Sequence, residues 1–288
     1  MLDQSAVGLS LSQDFSYDWR DIILYHLSVG ARQGELEYVY EEGMKVLPSF
    51  GVIPCFSTFK TEPTCSRPML PTRLVTGLRP EGTLHMDHKL MVHKQLSPDG
   101  GRLHVEKTIR QVYDRGADKG AKIIIEIKVI DENGEAVFTN TMGYFNRFAG
   151  GFGGEKPPAG DVAIPDRSPD LTVESRFDEN APLLYRLTGD TFPLHADPAF
   201  AKKSGFERPI MHGLCSFGYT CRLLVESLFP HEPERMVSLE TQFRSVAYPG
   251  DEFIVEIWRN NEGEAVYRML SKDSKKPILD CGRITWKK

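Results

Sequence analysis

An α+β fold is predicted for this chain, and three observations predict it. Runs rich in β-branched residues end in tight turns and resume as strands in both halves of the sequence. A stretch with apolar residues at helical spacing precedes the last strands, and a glycine- and proline-rich break divides the chain into parts of similar length. Antiparallel strands with helices gathered on one face form the layer arrangement that suits this pattern.

The strands are plainest at Lys122–Ile130, where isoleucine and valine recur. Asp131-Glu132-Asn133-Gly134 follows as a hairpin turn, and Ala136–Tyr144 reads as the returning strand. Further strands are expected at Glu252–Arg259, Ala265–Leu270 and Pro277–Trp286, with a turn over Asn260–Gly263. A short helix is predicted after Asp197, which suits an N-cap, with Pro198 at the first helical position and Gly205 as its stop. From Gly213 to Phe229 the residues Leu214, Phe217, Cys221, Leu224, Val225 and Leu228 recur at spacings of three and four. They predict a helix with a broad apolar face, which Gly218 would let approach a sheet closely. Each half thus reads as helix first, then antiparallel strands, with one long helix lying against the sheet.

The break runs from Ala149-Gly150-Gly151-Phe152-Gly153-Gly154 through Pro157-Pro158. It predicts a linker over 150–170 joining an N-terminal half, 1–149, to a C-terminal half, 171–288. Leu24-Tyr25-His26-Leu27 is echoed by Leu184-Tyr185-Arg186-Leu187, and Pro48-Ser49-Phe50-Gly51 by Cys215-Ser216-Phe217-Gly218. Their shared order suggests an ancient duplication.

Composition excludes several classes. The chain has 288 residues, 40% of them hydrophobic, and a formal net charge of −5, so it lacks the basic character of a nucleic-acid binder. No apolar run approaches the roughly 20 residues that span a bilayer. The five cysteines, Cys55, Cys65, Cys215, Cys221 and Cys281, have no metal-like spacing and read as reduced thiols of an intracellular protein. Met1–Phe15 carries two acids and no base, unlike a secretory or mitochondrial leader. The ending Ile284-Thr285-Trp286-Lys287-Lys288 is not a peroxisomal Ser-Lys-Leu signal.

The candidate chemistry lies in Gly189-Asp190-Thr191-Phe192-Pro193-Leu194-His195. Singly, Asp190 reads as a turn residue and His195 as structural. Together, on a loop stiffened by Pro193, a carboxylate and an imidazole can share one water and handle two protons. Gly213, opening the long helix, can offer its amide to a developing negative charge. The first half has Ala31-Arg32-Gln33 where the second has its acid–histidine pair, so the chemistry is expected in the second half alone. His85, His88 and His93 tempt a metal reading, but strand alternation would put His85 and His88 on opposite faces. No metal site is expected, and Gly150–Gly154 lacks the lysine and spacing of a phosphate loop.

The second half resembles the MaoC-like, (3R)-specific enoyl-CoA hydratases. The likeness rests on Tyr185-Arg186-Leu187-Thr188-Gly189-Asp190, Pro193-Leu194-His195, Asp197-Pro198 and His212-Gly213-Leu214-Cys215. The first half is similar to the matching half of the eukaryotic hydratases through Asp21-Ile22-Ile23-Leu24-Tyr25, Leu47–Pro54 and Gly150–Gly154. The resemblance implies a double hot-dog fold, two antiparallel sheets each wrapped on a helix, with the first half degenerate. It implies reversible hydration of trans-2-enoyl-CoA in fatty-acid β-oxidation, with Asp190 and His195 as general acid–base pair and the Gly213 amide as oxyanion donor. It places acyl-CoA contacts at His85, Met86, Arg115 and Phe243, and at the loop residues Thr191, Phe192, Pro193 and Leu194. It also implies a homodimer, a peroxisomal setting, and no cofactor beyond the coenzyme A carried by the substrate; neither nucleic acid nor membrane is an expected partner. The family has asparagine where Phe192 stands, and that asparagine joins the hydrogen bonds around the reacting water. Phenylalanine has no side-chain donor or acceptor. Two other readings therefore stand beside the hydratase: a non-catalytic acyl-CoA-binding hot-dog protein, and a dehydratase of carrier-bound 3-hydroxyacyl chains.

Overall fold

The computed structural model describes residues 4–56, 72, 75–78, 82–158 and 160–288. Cys65 and Ala159 lie outside these residues. Among the described residues ten strands form one antiparallel sheet: β1 (Ser10–Asp18), β2 (Thr83–Val92), β3 (Gly100–Asp114), β4 (Ala121–Asp131), β5 (Ala136–Asn146), β6 (Leu171–Arg176), β7 (Met236–Phe243), β8 (Glu252–Asn261), β9 (Glu264–Ser271) and β10 (Pro277–Trp286). Their spatial order is β1-β3-β4-β5-β2-β7-β10-β9-β8-β6. Read inward from either edge, the two halves repeat one order, and they meet where β2 pairs with β7 from Asp87↔Gln242 to Met91↔Ser238.

The helices are α1 (Trp19–Ser28), α2 (Leu36–Val39), α3 (Ala181–Tyr185), α4 (Pro198–Lys203) and α5 (Gly213–Leu228). Asp18 caps α1 by accepting from the amides of Arg20 and Asp21, while the Asp18 amide donates to the Asp21 carboxylate. Asp197 caps α4, accepting from Ala199 N, and Gly205 ends it at φ +89°. α5 runs through the middle of the molecule and is buried on nearly every side from Leu214 to Val225.

Two expectations about the helices need correction. The first half has no counterpart of α5 among the described residues. The stretch Pro48–Cys55 is wholly buried 3-10 helix instead, and Pro54 within it has no amide to donate to an α-helical ladder. Gly218 admits a helix, not a sheet. A Cβ there would stand 2.4 Å from Val29 Cγ1 and 2.7 Å from Tyr25 Oη, both belonging to α1 or its C-cap.

Buried histidines tie the layers together. The His26 ring donates from Nδ1 to the Tyr38 carbonyl at 2.7 Å and accepts the Leu47 amide at Nε2, 3.0 Å. His88 Nε2 bonds Asn140 Oδ1 at 2.9 Å, and Asn140 Nδ2 donates to the Gly51 carbonyl at 3.1 Å. Burial pushes His26 down to about 4 and His88 down to about 3. Both rings are therefore neutral in the folded chain, while in the unfolded chain they protonate near ~6.5. Between those limits the unfolded state holds more protons, so stability rises with pH there and levels off above ~6.5. Urea unfolding at a series of pH values should show a flat plateau above neutrality. Below about pH 6.5 it should show a steep loss, on the order of 3 kcal/mol from each ring by pH 4. A stability that is unchanged between pH 7 and pH 4 would rule this out.

Candidate active site

The chain enters the site from α3. A short 3-10 turn, Arg186–Thr188, ends at Gly189, whose φ of +145° is open to glycine and strained for other residues. This reversal delivers Asp190. A second 3-10 turn, Pro193–His195, then carries the histidine, with Pro193 at its first position. The loop is pinned where Ile210 N donates to the Leu194 carbonyl at 3.4 Å and His195 Nδ1 donates to the Ile210 carbonyl at 2.9 Å. A carbonyl only accepts, so Nδ1 carries the hydrogen and Nε2 is left with its lone pair.

His212, the residue before α5, completes the cluster. Its Nε2 donates to the Asp190 carbonyl at 3.1 Å, and its ring stacks on that of His195 with centroids 3.7 Å apart and planes 26° from parallel. Tyr185 packs at a tilt to the His212 ring, with centroids 4.9 Å apart. Donor atoms of Asp190, His195 and His212 all lie within 4.8 Å of one another. His195 gives its Nδ1 to Ile210 and His212 its Nε2 to Asp190, so each of the stacked rings keeps one nitrogen lone pair.

Burial lowers the pKa of His195, opposed by the Asp190 charge and by the bond to Ile210. Burial, and then the neighbouring His195, lowers His212 further. The imidazole of His195 therefore remains a neutral base below the ordinary histidine range, held beside an acid partner. His212 offers no side-chain cap to α5, so the leading amides of that helix are free of a capping side chain. A Cβ added at Gly213 would sit 3.0 Å from the Phe243 ring, so any larger residue there would press on that ring.

Ring contacts continue from Phe243 across the junction between halves. His85 stacks on Tyr144 at 4.8 Å and 17°, and Phe243 packs at a tilt to it, also at 4.8 Å. The Asp190 charge contributes to raising the Tyr144 hydroxyl, after burial. The structure thus joins His85, Tyr144, Phe243 and Gly213 into one lining beside the loop. Met86 is half-buried at the bulge of β2. Arg115 is not brought into this lining. It lies on the exposed turn after β3, with its guanidinium 5.1 Å over the Phe145 ring, and Phe145 faces away from the side that Tyr144 lines.

Strand alternation does not part His85 from His88. The pairing of β2 with β5 shifts between His85↔Tyr144 and Asp87↔Gly143, a bulge that adds one residue. The extra residue returns both imidazoles to one side, with centroids 5.5 Å apart. Cys215 and Cys221 are buried, with thiols raised by burial, so they pack and do not react.

Phe192 takes part through its backbone. Its amide donates to Asp190 Oδ1 at 3.3 Å, while its ring packs edge-on to His195 at 6.2 Å and to Phe200 at 5.3 Å. A separate polar cavity of about 440 Å³, lined by Arg176, Glu179, Arg208, Pro249, Gly250 and Asp251, shares none of these residues.

Three residues were missed by sequence reasoning. His212 stood in a quoted motif but had only its neighbouring amide assigned. Tyr185 likewise opened the motif without a role. Tyr144 carried no sequence signal, because it reaches the site through strand pairing.

Comparison with known proteins gives two family matches. The MFE-2 hydratase 2 N-terminal domain matches residues 15–148, and the MaoC like domain matches residues 161–277. The chain is 34% identical over 261 residues to the enoyl-CoA hydratase ChsH3 of Mycobacterium tuberculosis, covering 88% of each. It is 35% identical over 274 residues to the peroxisomal hydratase-dehydrogenase-epimerase of Neurospora crassa, which matches 91% of this chain but spans far more, the match covering 29% of its length. The crystal structure of a MaoC-like dehydratase from Phytophthora capsici superposes with a TM-score of 0.85 at 28% identity, covering 98% of this chain and 96% of that one.

Proposed function

The chain belongs to the MaoC-like family, with an MFE-2 hydratase 2 N-terminal domain ahead of its MaoC-like domain in a double hot-dog fold, and from that membership we propose that it reversibly hydrates trans-2-enoyl-CoA to (3R)-3-hydroxyacyl-CoA. The observation that carries the reading is the pairing of Asp190 with a His195 whose Nδ1 is tied to Ile210, beside the free end of α5.

Asp190 and the Nε2 of His195 hold a water over the β carbon of the enoyl thioester. One takes a proton from that water as it adds, and the other delivers a proton to the α carbon. Negative charge builds on the thioester oxygen, where the Gly213 amide and the positive end of α5 stabilise it. His212 positions both members by stacking on His195 and holding the Asp190 backbone. Thr191, Pro193 and Leu194 shape the loop, while His85, Met86 and Phe243 line the acyl-CoA path. Addition of water changes no net oxidation state, so the reaction calls for no redox cofactor, and the coenzyme A arrives with the substrate. Among the described residues no helix is long and apolar enough to cross a membrane. The reading extends to a homodimer working in peroxisomal β-oxidation, as the family likeness implies; light scattering and localisation of the tagged full-length protein test these two points.

The assay is loss of the conjugated enoyl absorbance with crotonyl-CoA and with a longer enoyl-CoA, followed by chiral analysis of the product. Formation of the (3R) alcohol is expected; an inert protein, or the (3S) product, overturns the reading.

Phe192 favours one alternative, a protein that binds acyl-CoA without turning it over. The Phe192 amide already supplies a donor to Asp190, so the missing side-chain amide leaves the carboxylate held. Phe192→Asn should therefore raise kcat by a few-fold, by restoring a second hydrogen bond to the water. A fall in kcat would mean that the pocket depends on the aromatic packing with Phe200. Tight thioester binding by the wild type, with no turnover in either protein, would establish the binding-only alternative.

A further inference from the structure

At the end of α5 remote from Gly213, a second cluster of ligand-type side chains joins the two halves. Glu37 lies on α2, Glu226 in the last turn of α5, and His231 in the loop that follows. Their donor atoms all lie within 4.8 Å of one another, and His231 Nδ1 stands 2.6 Å from Glu37 Oε1.

Protonated, His231 pairs with Glu37 at this corner, and the carboxylates of Glu37 and Glu226 raise its pKa. Two carboxylates meet at the negative end of a helix of 16 residues, where a cation is favoured. The neighbouring cations are already engaged. Arg222 donates to Glu35 at 2.7 Å and to the Val29 carbonyl at 3.2 Å, and Lys45 Nζ holds the His231 carbonyl.

Two polar atoms beside the cluster point to something held there. Glu226 Oε1 is sealed from solvent and receives no hydrogen bond. Tyr38 is completely buried, at 0% exposure, and its hydroxyl has no partner. Tyr38 follows Glu37 directly on α2. A buried oxygen without a partner is costly, and here an acceptor and a hydroxyl are left unmet beside one cluster.

We infer that Glu37, Glu226 and His231 form a binding site for a divalent first-row metal ion of the zinc class, tying α2 of the first half to α5 and its following loop in the second. One imidazole and two carboxylates are a donor set that such ions accept. Water completes the coordination, and one such water meets the Tyr38 hydroxyl. The site shares no residue with Asp190, His195 or Gly213, so it stands or falls apart from the hydratase reading. Because His231 must give up its proton to bind, the metal binds more tightly as pH rises.

The test is a titration of the tag-free full chain with zinc by calorimetry, with cobalt absorption as a second readout. The wild type should take up one equivalent at this site and gain about 5 °C in Tm at a hundredfold excess over Kd. Glu226→Gln and Glu37→Gln should each weaken uptake at least about tenfold and abolish the gain in Tm, with the hydration rate unchanged. Glu37→Gln keeps the test open if Glu226→Gln does not fold. Absence of uptake overturns the inference, as does equal affinity in the wild type and both variants. So does an equivalent lost on His195→Ala but retained in Glu226→Gln, which would place the ion at the catalytic loop.

Discussion

Asp190→Asn should lower kcat for enoyl-CoA hydration by about 10²-fold or more while leaving the protein folded, since a general acid–base group contributes on that order. The expectation follows from what holds the side chain in place. Among the described residues Asp190 Oδ1 accepts only the Phe192 amide, at 3.3 Å, and the Asp190 backbone carbonyl is held separately by His212. The amide of asparagine can turn its oxygen to the Phe192 N–H, so the loop keeps its geometry. What changes is charge and basicity. Asparagine cannot take a proton, and it withdraws the charge that sustains the proton affinity of His195 against burial. The KM for substrate should change little, because the loss falls on the chemical step and not on ground-state binding. Circular dichroism and Tm beside the kinetics check this. A variant with wild-type kcat would remove Asp190 from the mechanism, and a variant with a collapsed Tm would make it structural.

The second large effect concerns stability. Gly218→Val should destabilise the protein by roughly 3 kcal/mol, at the upper end for overpacked cores. Replacing glycine within a helix ordinarily gains up to ~1 kcal/mol from backbone entropy. Here the Cβ alone would stand 2.4 Å from Val29 Cγ1 and 2.7 Å from Tyr25 Oη, and both residues are fully buried. Neither can withdraw cheaply. Tyr25 packs against Phe50 and Tyr185, and the Val29 carbonyl accepts Arg222 Nε. The strain therefore outweighs the entropic gain. Because Tyr185 backs His212, the same substitution should lower activity in the fraction that remains folded. Chemical denaturation measures the first effect; an unchanged midpoint would show that α1 and α5 are not packed this closely.

What the sequence disclosed was local. β4, β5 and their turn, α4 with its cap, and α5 could be read because their signals lie within a few residues of one another. β3 was hidden because it opens on two glycines and carries Lys107, which is buried at 1% exposure inside the sheet's inner face. β6 is an edge strand with no fully buried residue, so it lacked an apolar signal. The long helix expected of the first half has no counterpart among the described residues, where Pro48–Cys55 is as apolar as a helix core. The same division holds at the site. Asp190, His195 and Gly213 belong to short motifs, whereas Tyr144 and the wall formed with His85 depend on strand pairing, and the shared side of His85 and His88 depends on a bulge. Arg115 followed a loose motif, and the structure sets it on the outer face.

The most direct measurement is a crystal structure of the wild type soaked with a (3R)-3-hydroxyacyl-CoA. The account predicts the 3-hydroxyl within hydrogen-bond distance of both the Asp190 carboxylate and His195 Nε2, with the thioester oxygen on the Gly213 amide. A ligand seated instead against Arg176 and Arg208, or one whose hydroxyl reaches neither side chain, would contradict it.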